Sequence, residues 1–472
     1  MVQAKPHMDS QIAVVGMSCR FAGVNSPAAL WSAIRDRRVL LTPPGPEAEL
    51  PPGQKNVFDR PYPARIGQLG DLYACVPSMQ NFPRQVNAGE NQDLYFATQL
   101  AFDALADASM KPHNVEMIRG SVRLGYAPPF NASTVNWLQH TSFMDQTLDI
   151  VRRYFPSAEA LDNVKAKLLE SLPPPDAASF LMGAGYRFVS WIARECSFGG
   201  VATIMDAGML TGAATLSAAV DDLQTGRADV SLAGALTPPL NRAYIEGLSG
   251  EVQFSQRAEL HPFEQDPDGT LPGEGGAFFV LKRRADALRD RDRIYALVRS
   301  VAIGHSPADD PAAVFAEATT RAGVPVTTIG LIEADGSGIR AAEARELATI
   351  KRMWGEHRPG LPLVGVGSVK GNIGHTLRAS MAAGLVKAAL ALYAKVLPSQ
   401  IPSSHPAEEV SDLASSVYLL NSERPWITGD SANPRRAAVM GANFDPADPI
   451  GTTAAVGRSA VVILEEEPED RA

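Results

Sequence analysis

Three cysteines and eight histidines are the residues of this chain best suited to covalent or acid–base chemistry. A cysteine becomes a nucleophile at a helix N-terminus, where the positive helix end lowers the thiol pKa. Cys196 precedes the apolar run Val201 to Met205, not the helix after it, so it reads as a buried structural thiol. Cys19, Cys75 and Cys196 together cannot build a disulfide framework for a chain of 472 residues. The histidines are scattered, and none sits with Asp, Glu or Cys at metal-ligand spacing, so no metal site is expected. His375 closes a glycine turn that begins at Lys370 (KGNIGH), and on its own it reads as a satisfied structural residue. Gly365, Gly367 and Gly371 have the wrong spacing for a dinucleotide loop.

The elements that must position these residues alternate. Gln11 to Gly16 is a short apolar run ended by glycine and predicts a buried strand. Ser26-Pro27 opens a helix through Trp31 and Ile34. Leu41 to Asn56 is rich in Pro and Gly and predicts a loop. Asp93 to Ala108 has helical spacing, and Phe130 to Leu172 contains amphipathic helical stretches. In that insert Trp137, Phe143 and Tyr154 are expected in the core. Strands are predicted at 201–205, 229–236, 277–281, 329–334, 363–367 and 460–464, with helices at 211–223, 341–353 and 378–397. Short apolar strands between helices indicate α/β layers around a buried sheet.

A charged segment, Arg283 to Arg293, would divide the chain into two α/β halves, with its charges on a solvated helix face. The expected organisation is a tail at 1–9, an N-terminal half at 10–285 with the helical insert at about 130–175, a C-terminal half at 286–467, and a tail at 468–472.

Composition narrows the function. Hydrophobic residues make up 45% and charged residues 20%, enough apolar mass for a large core. A net charge of −9 argues against a nucleic-acid binder or an anchor on an anionic membrane, and 7% aromatics disfavours base stacking. Ser380 to Leu397 is apolar, but Lys387 interrupts it and Pro398 ends it, so it predicts a buried helix and not a membrane span. Met1 to Ser10 is polar, without an apolar signal core, which leads to an expected cytoplasmic location.

Several stretches resemble one family. Val15 to Phe21 (VGMSCRF) is similar to the opening of β-ketoacyl synthase domains of polyketide and fatty-acid synthases. Ala228 to Gly234 (ADVSLAG) resembles their strand after the nucleophile helix. His261-Pro262-Phe263, Asp268-Gly269 and Gly273-Glu274-Gly275 resemble their PFD…DG…GEG signature. Lys370 to Thr376 resembles K-x-N-I-G-H-T. The insert resembles that of ketosynthases from iterative polyunsaturated-fatty-acid and glycolipid synthases. The resemblance implies a thiolase-like fold, two pseudo-symmetric α/β halves in five layers (αβαβα), usually dimeric.

It also implies a site, and here the chain departs from the family. Where the family has D-T-A-C-S-S, this chain reads Asp206-Ala207-Gly208-Met209-Leu210-Thr211, so Met209 takes the position of the nucleophilic cysteine. A thioether has no proton to lose and forms no thioester. Where the family has E-A-H-G-T-G-T, this chain reads Glu333-Ala334-Asp335-Gly336-Ser337-Gly338-Ile339, so Asp335 replaces a histidine that polarises the malonyl thioester. An ionised carboxylate repels a developing enolate, whereas a buried, protonated one would donate a hydrogen bond. His375 and Lys370 match the second histidine motif, and Glu333 and Lys370 are expected to form a structural pair. The oxyanion loop G-F-G-G-T-N is replaced by Met440 to Asp445, followed by Pro446 and Pro449, which have no N–H to donate.

The resulting expectation is a non-condensing ketosynthase-like subunit, resembling a chain-length factor. Its partners would be an active ketosynthase or a second copy of itself, and an acyl carrier protein bearing phosphopantetheine, with no cofactor bound by the chain itself. The alternatives are a reduced decarboxylase or acyltransferase built around His375, and a scaffold for carrier-protein docking.

Overall fold

The computed structural model of the chain describes residues 11–468, apart from 47, 71–91, 112–118, 128–131, 156, 173, 175–185, 305–309, 355–362, 413–416, 429–433 and 444–457. Cys75 and the segment carrying Pro446 and Pro449 lie outside the described residues.

β1 (Ile12–Phe21) runs further than the apolar run alone predicts. It is followed by α1 (Pro27–Arg35), whose cap is Ser26: the hydroxyl accepts from the Ala29 N–H. Next come α2 (Gln92–Asp107) and β2 (Gly120–Gly125). The insert supplies α3 (Ala132–His140), α4 (Ser142–Arg152) and α5 (Ala158–Glu170). Then follow α6 (Tyr186–Glu195), β3 (Ala202–Met205), α7 (Thr211–Gln224), β4 (Val230–Thr237), α8 (Arg242–Ser249) and β5 (Gly275–Arg283). The charged segment forms α9 (Arg284–Asp290) and leads into β6 (Ala296–Ile303).

The second half continues with α10 (Pro311–Ala322), β7 (Leu331–Glu333), α11 (Arg340–Trp354) and β8 (Val364–Gly367). After α12 (Ser380–Ala394) come β9 (Val396–Leu397), β10 (Val417–Leu419), β11 (Arg424–Pro425), β12 (Arg436–Ala442) and β13 (Ser459–Glu465).

Strands pair in the order β10-β8-β7-β12-β13-β6-β1-β5-β4-β2-β3. In the first half β3, β2 and β4 are parallel, and β5 and β1 run antiparallel beside them. In the second half β10, β8, β7 and β12 are parallel, and β13 and β6 are antiparallel. The two halves join where β1 pairs with β6.

Three apolar layers separate the elements. α2 and α6 cover one face of the first half with Phe96, Leu100, Phe188 and Ile192. α10 and α11 cover the second half with Phe315, Leu347 and Ile350. The central layer is α7 and α12, whose small residues allow a close approach: a Cβ on Gly212 would fall 2.8 Å from the Ala382 backbone nitrogen. As expected, α12 is buried: Leu377–Ala394 has the length and hydropathy of a membrane span, but 78% of it is buried in the fold.

The insert is helical, but its aromatic residues are not core. Trp137, Phe143 and Tyr154 are exposed, and α5 buries no residue. The three helices lie outside the sheet layers, where α4 packs with α3 and α5, so only part of their apolar faces is covered.

Candidate active site

The loop between β3 and α7 holds Met209 in a bonded frame. Gly208 has φ +63°, a left-handed conformation that glycine adopts without strain. Its N–H donates to Asp206 Oδ1 at 3.0 Å, and Thr211 Oγ1 accepts from the Ala207 N–H at 2.9 Å. The Met209 N–H donates to Asn443 Oδ1 at 2.7 Å, and Asn443 Nδ2 donates back to the Ala207 carbonyl at 3.2 Å. The Met209 side chain packs in an apolar cluster with Leu240, Tyr244, Ile245, Leu248, Phe254 and Leu377.

Near this cluster, Lys370 to Ile373 forms one helical turn, and Gly374 places His375 beside Leu271 and Gly273. The His375 N–H donates to the Leu271 carbonyl at 2.7 Å, and its own carbonyl accepts from Gly273 at 2.9 Å. His375 Nδ1 accepts from the Leu377 N–H at 3.1 Å and lies 3.2 Å from Ser380 Oγ. An Nδ1 that accepts leaves the proton of the neutral ring on Nε2. The ring is fully buried, and burial, then the Lys370 charge, pushes its pKa down to about 3. His375 is therefore a neutral imidazole at ordinary pH.

Asp335 follows β7 and is buried. Lys370 Nζ donates to its carboxylate at 2.7 Å and to its carbonyl at 2.5 Å. Asp335 is thus paired with Lys370 and does not stand alone. Two more carboxylates hold the same loop. Glu346 accepts from the Asp335 and Gly336 N–H groups at 2.7 and 3.0 Å. Glu343 accepts from the Gly338 and Phe263 N–H groups at 2.8 and 3.0 Å. Burial raises the Glu343 carboxyl to about 8 and the Glu346 carboxyl to about 7, the latter also through Asp335.

The expected Glu333–Lys370 pair does not form. Glu333 ends β7 facing α12, where its Oε2 lies 2.6 Å from Lys387 Nζ, both side chains being buried. Its Oε1 accepts from the Val369 N–H at 2.7 Å. Lys370 reaches Asp335 instead because its turn starts directly beside the residue 335 loop. Among the other cysteines, Cys196 follows α6 in the outer apolar layer, and burial raises its thiol to about 12, as befits a structural residue. Cys19 is likewise buried in β1, with its pKa raised by burial.

The structure thus brings Asp335, Lys370 and His375 within electrostatic reach of one another, and brings Met209 against Leu377 two residues beyond His375. Sequence reading missed Asn443, Lys387 and the pair Arg378–Asp206. For Asn443 the only signal was its place at the start of the altered loop.

Residues 9–287 match the family described as Beta-ketoacyl synthase, N-terminal domain, and residues 299–404 match its C-terminal domain. The chain belongs to the β-ketoacyl synthase family. This ketosynthase-family chain is 26% identical over 98% of its length to a mycocerosic acid synthase-like polyketide synthase of Mycolicibacterium smegmatis, of which the match covers 20%. It is 27% identical over 89% of its length to a non-reducing polyketide synthase of Macrophomina phaseolina, covering 18% of that protein. The chain therefore spans about a fifth of these relatives. An oxazolomycin ketosynthase domain of Streptomyces albus superposes with a TM-score of 0.75 at 21% identity, over 98% of this chain and 75% of that one. The ketosynthase from module 1 of the bacillaene synthase of Bacillus amyloliquefaciens gives 0.74 at 20%, over 98% and 74%. The thiolase-like fold expected from the motifs is the fold of this chain.

Proposed function

We propose that this chain is a non-condensing ketosynthase-type subunit, a chain-length-factor-like partner of an active ketosynthase. The observation that carries the reading is the state of residue 209. A methionine stands there with no proton to lose, and its backbone N–H is occupied by Asn443. In acyl transfer such an N–H, at the nucleophile, steadies the tetrahedral oxyanion, and losing one donor costs roughly 10²–10³ in rate. The Asp335–Lys370 pair adds a second departure, a carboxylate where an enolate would form.

What remains suits a subunit that holds and shapes. Among the described residues β3 lies at the end of the sheet order with an open side, and Val201 beside it is exposed. An uncharged edge of this kind calls for a partner strand. The partner is an active ketosynthase, or otherwise a second copy, and the assembly receives chains from a phosphopantetheine-bearing acyl carrier protein. Co-expression with ketosynthases from the same source tests this: a stable complex should copurify, should change product chain length when the subunit is omitted, and should be lost in Ile204→Asp. A monodisperse monomer with every ketosynthase tried would overturn it. Carbon dioxide release from malonyl-carrier protein by the chain alone would favour a reduced decarboxylase using His375.

A further inference from the structure

Arg378 lies on the short turn just before α12, and its side chain is only 20% exposed. Its guanidinium forks onto Asp206: Nε lies 3.0 Å from Oδ1 and Nη2 lies 3.2 Å from Oδ2. The remaining Nη1 donates to the Tyr244 hydroxyl at 2.7 Å. The three partners belong to three different elements. Asp206 is on the loop that carries Met209 and is fixed there by the Gly208 N–H. Arg378 belongs to the turn just before α12, and Tyr244 belongs to α8.

The other two elements also supply apolar cover to residue 209. Tyr244 and Leu377 pack in its cluster, and Met209 is 9% exposed. A forked arginine–carboxylate pair has fixed geometry as well as charge, and the tyrosine holds the fork from a third side. Burial of the Asp206 carboxylate would raise its pKa, but Arg378 outweighs this and the net direction is down, so the pair stays charged.

We propose that Asp206, Arg378 and Tyr244 form a clasp that closes the approach to residue 209, tying its loop to α8 and α12 so that a thioester on a carrier arm cannot reach that side chain. The clasp concerns access and not partnership, so it stands or falls apart from the chain-length-factor reading. It also means that the loss of the thiol is matched by a closed entrance. Restoring a cysteine alone would place it behind the clasp.

The test is thiol labelling of Met209→Cys by N-ethylmaleimide, with peptide mass mapping to separate residue 209 from Cys19, Cys75 and Cys196. Met209→Cys is expected to label slowly, and Met209→Cys/Arg378→Ala at least about tenfold faster, as for removal of a local closing contact. A smaller increase overturns the proposal. Labelling of Cys196 reports any general loosening. Should Arg378→Ala expose Cys196 too, Met209→Cys/Tyr244→Phe decides instead, since it removes one bond and little volume: faster labelling at residue 209 supports the clasp, and an unchanged rate overturns it.

Discussion

The surroundings of His375 and of residue 209 differ. Around His375 backbone and charge bonds are dense: Leu271, Gly273, Leu377 and Ser380 all hold the ring or its peptide, and Lys370, Asp335 and Glu346 brace the loop beside it. Around residue 209, the position that the family resemblance assigns to the nucleophile, a thioether lies in an apolar cluster and the backbone N–H is tied to Asn443. The difference teaches that a motif can persist for the fold it supports. The glycine turn at Lys370 to His375 joins the β5 approach to α12, and that role does not depend on any reaction.

The polar side should be the more costly to disturb. Lys387→Met leaves the buried Glu333 without its cation and is expected to lose about 3–5 kcal/mol in denaturant unfolding. Adding Glu333→Gln should recover part of this, and no recovery would show that the pair is not what Lys387 supports.

The reactive side should resist repair. Met209→Cys/Asp335→His returns the nucleophile and the missing histidine but leaves Asn443 on the residue 209 N–H. Condensation by this variant should remain at least about a hundredfold below an intact ketosynthase, a shortfall of about 3 kcal/mol. Turnover near that of an intact enzyme would break the comparison. Adding Asn443→Gly should raise the rate.

Residue 209 should behave as packing. Met209→Ala is expected to cost about 2–3 kcal/mol and Met209→Leu less than about 1.5 kcal/mol in unfolding experiments. An alanine without measurable cost would mean that the cluster does not depend on the side chain.

In the pH profile two buried groups act in opposite directions. The folded pKa of His375, about 3, lies below its usual 6.5, so its neutral form adds stability above pH 6.5 that is lost as the pH falls toward 3. The folded pKa of Glu343, about 8, lies above its usual 4.5, so its contribution is present below pH 4.5 and is lost as the pH rises through 8. His375→Gln should flatten the acid limb of stability against pH, and Glu343→Gln the alkaline limb. Profiles parallel to that of the unsubstituted protein would contradict these assignments.

Much of the scaffold was legible in the sequence. Short apolar runs with period-free burial marked β3, β4, β5, β7 and β8, and Ser26-Pro27 marked the start of α1. β2, β6 and β12 escaped notice because Ser, Arg and Gly interrupt their apolar character. The departures from the family motifs at residues 209 and 335 were legible because motif positions are fixed by local spacing. Partners were not: Glu333 could pair with either lysine until the side of β7 on which it lies was known, and Asn443 meets Met209 across more than two hundred residues of chain. Likewise the insert shows helical spacing, but spacing cannot say whether an apolar face finds cover, and Phe143 and Tyr154 do not.

The central claim is that residues 209, 335 and 375 of this chain carry no acyl chemistry of their own. The most direct measurement is incubation of the purified, unsubstituted chain with acyl- and malonyl-carrier protein, following intact mass and carbon dioxide together. The account predicts no acyl adduct on the chain and no carbon dioxide above the carrier-protein blank. Carbon dioxide release that disappears in His375→Ala, or an acyl group mapped to any of these residues, would contradict it.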